Sequence, residues 1–189
     1  GAAMAEAICI LRPTHGKAAR RRCRFFLCQC SAALAFLLLT IILKPDFTYA
    51  YSLKVNTFTV FHEEPMDDAI YSILNDVNIL IQASELYNSN SHFDICMNDG
   101  SVYPALIKKL RGPAFAWGFY DKVVLQGELS CTENAVELNG YKWNLTQLLA
   151  HELTHCMQFN HYGWLKSNPI AGIPEWKWEG YAEYIGRKK

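Results

Sequence analysis

The residues with the clearest capacity for chemistry are two histidines and a glutamate in the stretch His151-Glu152-Leu153-Thr154-His155. A helix would place His151 and His155 on one face, because residues four apart lie one above the other. Two imidazole nitrogens directed at one point can hold zinc, whose nitrogen ligands lie at about 2.0–2.1 Å. Glu152 adjoins the first histidine and would reach a water on that ion, which makes it the candidate general base.

A hydrolytic zinc site also needs a third protein ligand and one position open to water. Two downstream residues compete for this role, His161 and Glu179. His161 has the spacing of the metzincin pattern H-E-x-x-H-x-x-G-x-x-H. That pattern requires a glycine where this chain has Gln158, and a methionine turn below the site, yet no methionine follows Met157. These departures favour Glu179.

The stretch Glu179-Gly180-Tyr181-Ala182 resembles the glutamate-containing helix of the gluzincins, a branch of the zincin metallopeptidases. The resemblance covers residues 143–184 by motif, and residues 51–142 only by the order of the predicted elements. Pro174 and Glu175 are suitable starting residues for the helix that would carry Glu179.

This resemblance implies a role for each matching residue. His151, His155 and Glu179 would hold Zn²⁺ as its metal ligands. Glu183, one helical turn after Glu179, would hydrogen-bond one of the zinc-bound histidines, expected to be His151, and fix its orientation.

The activity implied is hydrolysis of peptide bonds through a zinc-bound water that Glu152 activates. Gluzincins supply a tyrosine or histidine to stabilise the oxyanion, and the candidates here are Tyr181, Tyr184 and His161, which the sequence does not rank. The alternative is a catalytically inactive zincin-fold module with a binding or regulatory role at the membrane. The complete ligand set opposes this alternative, and the lack of a clear oxyanion donor favours it.

The N-terminal part of the chain has the pattern of an export signal. Residues 1–24 form a basic segment with a cluster of arginines, and residues 25–43 carry no formal charge. At 1.5 Å per residue this apolar stretch would nearly cover a hydrocarbon core of about 30 Å. The pattern predicts a transmembrane helix with an exported C-terminal part, or a signal-peptide core that is cleaved before Tyr51 to give a secreted protein.

Residues 44–50 are interpreted as a linker and residues 51–189 as one zincin-like metallopeptidase domain. This domain carries more Asp and Glu than Lys and Arg, so nucleic acid is not an expected partner. The resemblance implies a peptide or protein substrate. The oligomeric state is left open. Cys96 and Cys131 are candidates for one disulfide in an oxidising compartment, and whether they are bridged is left open. Cys156 is expected to be a small buried side chain.

Hydrophobic patterning predicts an α+β fold with a small mixed sheet packed on an active-site helix and a third-ligand helix. The stretch 114–118, with small alternating residues, is either an edge strand that binds an extended substrate or an ordinary interior strand. The expected strands cover residues 53–61, 92–97, 115–120, 122–125 and 135–138, and the expected helices cover residues 65–87 and 103–109 and begin again at Trp143 and after Pro174.

Overall fold

A computed structural model describes residues 16–167 and 172–188, without the side chains of residues 16–28, Trp164 and Leu165. The chain divides into two units, Gly1–Leu43 and Lys44–Lys189. In the first unit helix α1 spans Gly16–Leu43 and includes the apolar stretch 25–43, whereas residues 1–15 of the basic segment lie outside the described residues. No helix in the described part of the chain combines the length and the hydropathy of a membrane span.

The second unit has a mixed α+β architecture, and its larger sheet has the strand order β1-β2-β3-β5-β4. Strands β2, β3 and β5 run parallel, while β1 and β4 run antiparallel to their neighbours. Strand β4 therefore forms one edge of this sheet, as one of the two readings of residues 114–118 predicted. The strands are β1 Tyr51–Val55, β2 Phe58–His62, β3 Phe93–Cys96, β4 Ala116–Phe119 and β5 Lys122–Leu125.

The prediction of a single strand over residues 53–61 is wrong, because this segment folds as the β1–β2 hairpin. Val55 pairs with Phe58, and Asn56 turns the chain with a φ of 53°. Asparagine is among the few residues that tolerate this left-handed conformation. Apolar residues alternate at Leu53 and Val55 and again, in the other phase, at Phe58 and Val60. The polar pair Asn56-Thr57 between them was the sequence signal for this turn.

A second sheet of three antiparallel strands precedes the motif helix, with the order β6-β7-β8. Its strands are β6 Glu128–Ser130, β7 Ala135–Leu138 and β8 Tyr141–Asn144. Only β7 was expected. Asn139 and Gly140 both have positive φ, the conformation of a two-residue hairpin turn, and this Asn-Gly pair is a sequence signal for β8. Because β8 includes Trp143, the motif helix starts later than predicted.

The helices of the second unit pack around the larger sheet, with Pro45–Thr48 adding a short 3-10 turn. Helix α4 contacts α2 and α5 as well as strands β4 and β5. Asn144 caps α4, because its side chain accepts a hydrogen bond from the Gln147 N–H. The helices are α2 Ala69–Gln82, shorter than expected, α3 Val102–Arg111, α4 Leu145–Lys166 and α5 Glu175–Gly186.

The expected disulfide between Cys96 and Cys131 is not formed, and both cysteines are free. Cys96 is buried in β3 of the larger sheet, whereas Cys131 directly follows β6 of the second sheet. The two thiols thus lie in or beside different sheets. Cys156 is fully buried in α4, as predicted, and its burial raises the pKa of the thiol well above its usual value.

Candidate metal centre

Helix α4 brings the two motif histidines together. His151 and His155 are both buried, and their Nε2 atoms lie 3.1 Å apart. The two rings are nearly perpendicular, at 88°. This arrangement follows from the four-residue spacing on a continuous helix, which directs both rings to the same side.

Helix α5 adds a carboxylate to this pair. Glu179 Oε2 lies 3.4 Å from His151 Nε2 and 3.5 Å from His155 Nε2. Tetrahedral zinc with bonds of about 2.0–2.1 Å separates its ligand atoms by about 3.3–3.4 Å. The three measured separations match this spacing closely. The donor set and its geometry therefore fit a zinc ion held by His151, His155 and Glu179.

The close approach of α5 to α4 depends on a glycine at the helix crossing. A Cβ atom at Gly186 would lie 2.9 Å from the Gln147 carbonyl oxygen and 3.4 Å from His151 Cβ. The contact with the Gln147 oxygen is closer than real Cβ atoms show, so a residue with a side chain would force the two helices to shift. Gly186 thereby lets α5 carry Glu179 and Glu183 to the histidines.

Glu183 faces His151, as the sequence predicted, but no hydrogen bond joins them. Glu183 Oε2 lies 3.5 Å from His151 Nδ1, which is buried and has no hydrogen-bond partner among the described residues. The other carboxylate oxygen pairs with Arg187. Glu183 is thus the nearest acidic group to the imidazole nitrogen that faces away from Glu179.

His155, unlike His151, has a hydrogen-bond partner for its Nδ1 atom. This partner is Gln158, and its role was not predicted from the sequence. His155 Nδ1 lies 2.8 Å from Gln158 Oε1, and Gln158 Nε2 donates a 3.0 Å hydrogen bond to the Trp178 carbonyl oxygen. A carbonyl oxygen only accepts, so the amide nitrogen must face Trp178 and the amide oxygen must face His155. Nδ1 therefore carries the proton, and the Nε2 lone pair is left for a metal. A buried glutamine three residues after the second histidine was the available signal.

Aromatic side chains cover the two histidines. The Trp178 ring stacks on His155 with a 5.6 Å centroid distance and a 7° interplanar angle. The ring centroids of Trp143 and His151 are 6.0 Å apart. These rings restrict the motion of both imidazoles and exclude water from their faces.

Glu152 lies beside the histidines and contacts the edge strand. Its Oε2 atom accepts a 2.6 Å hydrogen bond from the Gly118 N–H. A Cβ atom at Gly118 would come within 2.4 Å of the Glu152 carbonyl oxygen, so only glycine allows β4 to pack here. Burial raises the pKa of the Glu152 carboxyl, although the two histidines oppose this shift.

The charges of the cluster are strongly coupled. Hydrogen bonds from His151 and His155 hold the pKa of Glu179 far below its usual range. Burial lowers the pKa of His155, but its contacts with Glu179 and Glu152 outweigh this effect and the pKa is raised. Two carboxylates and two imidazoles thus favour a positive charge between them, whether a proton or a metal cation.

The cluster opens into a cleft of about 460 Å³, called here the metal cleft, between strand β4 and helices α4 and α5. The edge strand forms one wall through Ala116, Trp117 and Gly118. The opposite wall includes Glu175 and Trp178 at the start of α5. The candidate ligands, Glu152 and the edge strand therefore line one and the same cleft.

The three predicted oxyanion donors lie outside the metal cleft as the structure describes it. Tyr181 Oη is 2.8 Å from Ser84 Oγ, and Tyr184 is exposed on α5. His161 is exposed and packs edge-on against Tyr162. Helix α4 continues through Gln158, so His161 does not turn back toward the histidine pair, and the structure does not bring it into the ligand cluster. The described residues lining the cleft include no tyrosine.

No protein-family model, curated protein or solved structure matches this chain. Arguments about its function therefore rest on the motif and on the geometry of the metal cleft.

Proposed function

We propose that this chain is a zinc-dependent metallopeptidase of the zincin type that hydrolyses peptide bonds. The observation that carries the proposal is the convergence of His151 Nε2, His155 Nε2 and Glu179 Oε2 at 3.1–3.5 Å, with Glu152 alongside. The location that accompanies it, membrane-anchored or secreted, is supported by the basic residues that precede the apolar stretch 25–43.

The metal ligands and Glu152 would have different roles in the reaction. A zinc ion bound by the three ligands would supply Lewis acidity toward a carbonyl and lower the pKa of water. Glu152 takes the proton from the attacking water and returns it to the leaving amine.

The edge strand would hold the substrate. Among the described strands β4 pairs only with β5, so the outer side of β4 has backbone groups without a partner in those strands. An extended peptide can add to such an edge through main-chain hydrogen bonds. Because Gly118 donates to Glu152, a peptide on this edge would pass directly beside the base.

A second candidate function is a catalytically inactive zincin-fold module that binds a partner at the membrane. The observation that favours it is the position of Tyr181, Tyr184 and His161, all away from the metal cleft. Without a donor for the oxyanion, a hydrolase loses one of its larger sources of rate enhancement.

The test combines metal content with cleavage of mixed-sequence peptides. We expect the full chain to contain zinc and to cleave peptides, and a chelator to abolish cleavage. Glu152→Gln should retain zinc and lower the cleavage rate by about 10²–10⁴-fold. Glutamine keeps an oxygen that accepts from the Gly118 N–H, so packing against β4 is preserved. Zinc without cleavage in the wild type would favour the inactive module, and absence of zinc would overturn the peptidase.

A further inference from the structure

A single arginine stands out in the metal cleft because it belongs to neither the ligand set nor the base. Arg111 is the last residue of α3 and lines the cleft. Its Cζ atom lies 4.7 Å from the Trp117 ring centroid and 5.7 Å from that of Phe119. The Trp117 indole N–H donates a 3.1 Å hydrogen bond to the Gly112 carbonyl oxygen, which fixes this ring to the end of α3.

The guanidinium of Arg111 forms no ion pair with a carboxylate among the described residues. The other charged side chains of the cleft are the ligand Glu179, the base Glu152 and Glu175 at the far wall. Arg111 is therefore the cation that the described part of the cleft wall presents to a bound molecule. A guanidinium held near an aromatic ring can keep its planar N–H edge free for a carboxylate.

The basic residues at the end of α3 also have a plain structural explanation, since cations stabilise a helix C-terminus. Lys108 and Lys109 meet this need equally well, and neither lines the cleft. The ring contacts and the position in the cleft wall distinguish Arg111 from them.

We propose that Arg111 binds a carboxylate of the substrate, so that the metal cleft selects peptides with an acidic group near the scissile bond. This inference rests on the proposed peptidase function. Trp117 directly precedes Gly118, whose N–H contacts the base, and a strand rises about 3.4 Å per residue. The bound carboxylate would then lie within about two residues of the bond that is cleaved. It belongs either to an Asp or Glu side chain or to the peptide C-terminus.

Binding to the zinc-loaded full chain carrying Glu152→Gln tests the inference independently of catalysis. The probes are short fluorescent mixed-sequence peptides in matched forms, with Glu or Gln at one position and with a free or amidated C-terminus. We expect acidic forms to bind more tightly than their neutral partners. Adding Arg111→Gln should weaken the acidic forms by about tenfold or more, the scale of a charge-assisted hydrogen bond, and change the neutral forms less than twofold.

Two further variants provide the controls. Lys109→Gln removes the same charge from an exposed position of α3 outside the cleft and should leave the preference intact. Arg111→Lys keeps the charge but loses the planar fork, and should retain part of the preference. The peptide pair that loses affinity in Arg111→Gln identifies the carboxylate as a side chain or as the C-terminus.

The outcomes separate this inference from the function on which it rests. Equal binding of acidic and neutral peptides, or a preference that survives Arg111→Gln, would overturn the inference even if the wild type cleaves peptides. Arg111-dependent binding of acidic peptides that the wild type does not cleave would overturn the peptidase and leave the carboxylate site standing.

Discussion

Two concave surfaces flank helix α5, and only one of them gathers groups that can act together. The metal cleft measures about 460 Å³, and the second surface, a groove lined by Tyr162, Trp176, Tyr181 and Tyr184, measures about 650 Å³. We call the latter the aromatic groove. In the cleft, buried nitrogen and oxygen atoms from two helices point at one position. In the groove, the Tyr181 hydroxyl forms a hydrogen bond with the Ser84 hydroxyl, and Trp176 and Tyr184 are exposed to solvent. Convergence of buried polar atoms, and not volume, distinguishes the two.

Gln158 lies between these surfaces and contributes to both. It lines the aromatic groove, while its amide connects His155 to the Trp178 carbonyl oxygen. The same helix pair thus has one side that gathers the candidate metal ligands and another side lined by aromatic residues. Substitutions matched across α5 can test whether this division is real.

The largest difference should be seen with Glu179→Ala, compared with Glu175→Ala one turn earlier on the same helix and in the same cleft. For the wild type we expect zinc at about 100 times its Kd to raise the unfolding free energy by about 2.7 kcal/mol. Glu179→Ala should lose this increase because a ligand is missing, and Glu175→Ala should keep it. Chemical unfolding with and without zinc measures both. Equal loss in the two variants would mean that general acidity, and not ligation, attracts the metal.

The next difference concerns two glycines. Gly118→Ala should lower the unfolding free energy by about 1–3 kcal/mol, because the new Cβ atom would meet the Glu152 backbone at 2.4 Å. Gly180→Ala, on α5 beside the aromatic groove, meets nothing within 4 Å and should raise stability by about 0.5–1 kcal/mol through helix propensity. Urea titrations report both changes. A Gly118→Ala protein as stable as the wild type would refute the tight packing of β4 on α4.

Gln158 allows a finer comparison. Gln158→Met should weaken zinc binding by about 10–100-fold, the usual cost of losing a partner of a metal-bound histidine. Gln158→Glu keeps an acceptor for the His155 N–H and should retain more affinity than Met. Tyr181→Phe removes a hydrogen bond on the groove side only, so it should leave zinc affinity unchanged. Competition with a chromogenic chelator gives all three affinities, and identical values for Met and the wild type would remove Gln158 from the metal centre.

The smallest expected effect comes from the aromatic groove itself. Tyr184→Ala should change stability by less than about 0.5 kcal/mol, since the side chain is 58% exposed. Trp178→Ala, which removes the ring stacked on His155, should cost about 0.5–1.5 kcal/mol for the lost aromatic contact alone. Thermal unfolding compares the two. If Tyr184→Ala lowered stability more than Trp178→Ala, the aromatic groove would contribute more to stability than the exposure of Tyr184 indicates.

Local patterns predicted much of the fold, and they failed where a turn or a pairing decided the outcome. The helix of Ile70, Ile73 and Leu74 was evident from its apolar period, and β5 from its apolar run. The β1–β2 turn at Asn56 was missed, although the two consecutive polar residues Asn56 and Thr57 interrupt the apolar alternation there. Strand β8 was taken for the first turn of the motif helix, since Trp143 fits either element until β7 pairs with it.

In the candidate site, too, some features follow from local sequence and others depend on tertiary contacts. The sequence by itself determined that His151 and His155 share a face and that Glu152 adjoins them, because helical geometry fixes neighbours four residues apart. Only the tertiary structure decided which downstream residue reaches them, since that depends on how closely α5 crosses α4 at Gly186. The same crossing joins Gln158 to the Trp178 carbonyl oxygen, and it leaves Tyr181 bonded to Ser84 and outside the metal cleft. Spacing along one helix is a local property, whereas contact between two helices depends on every side chain packed between them.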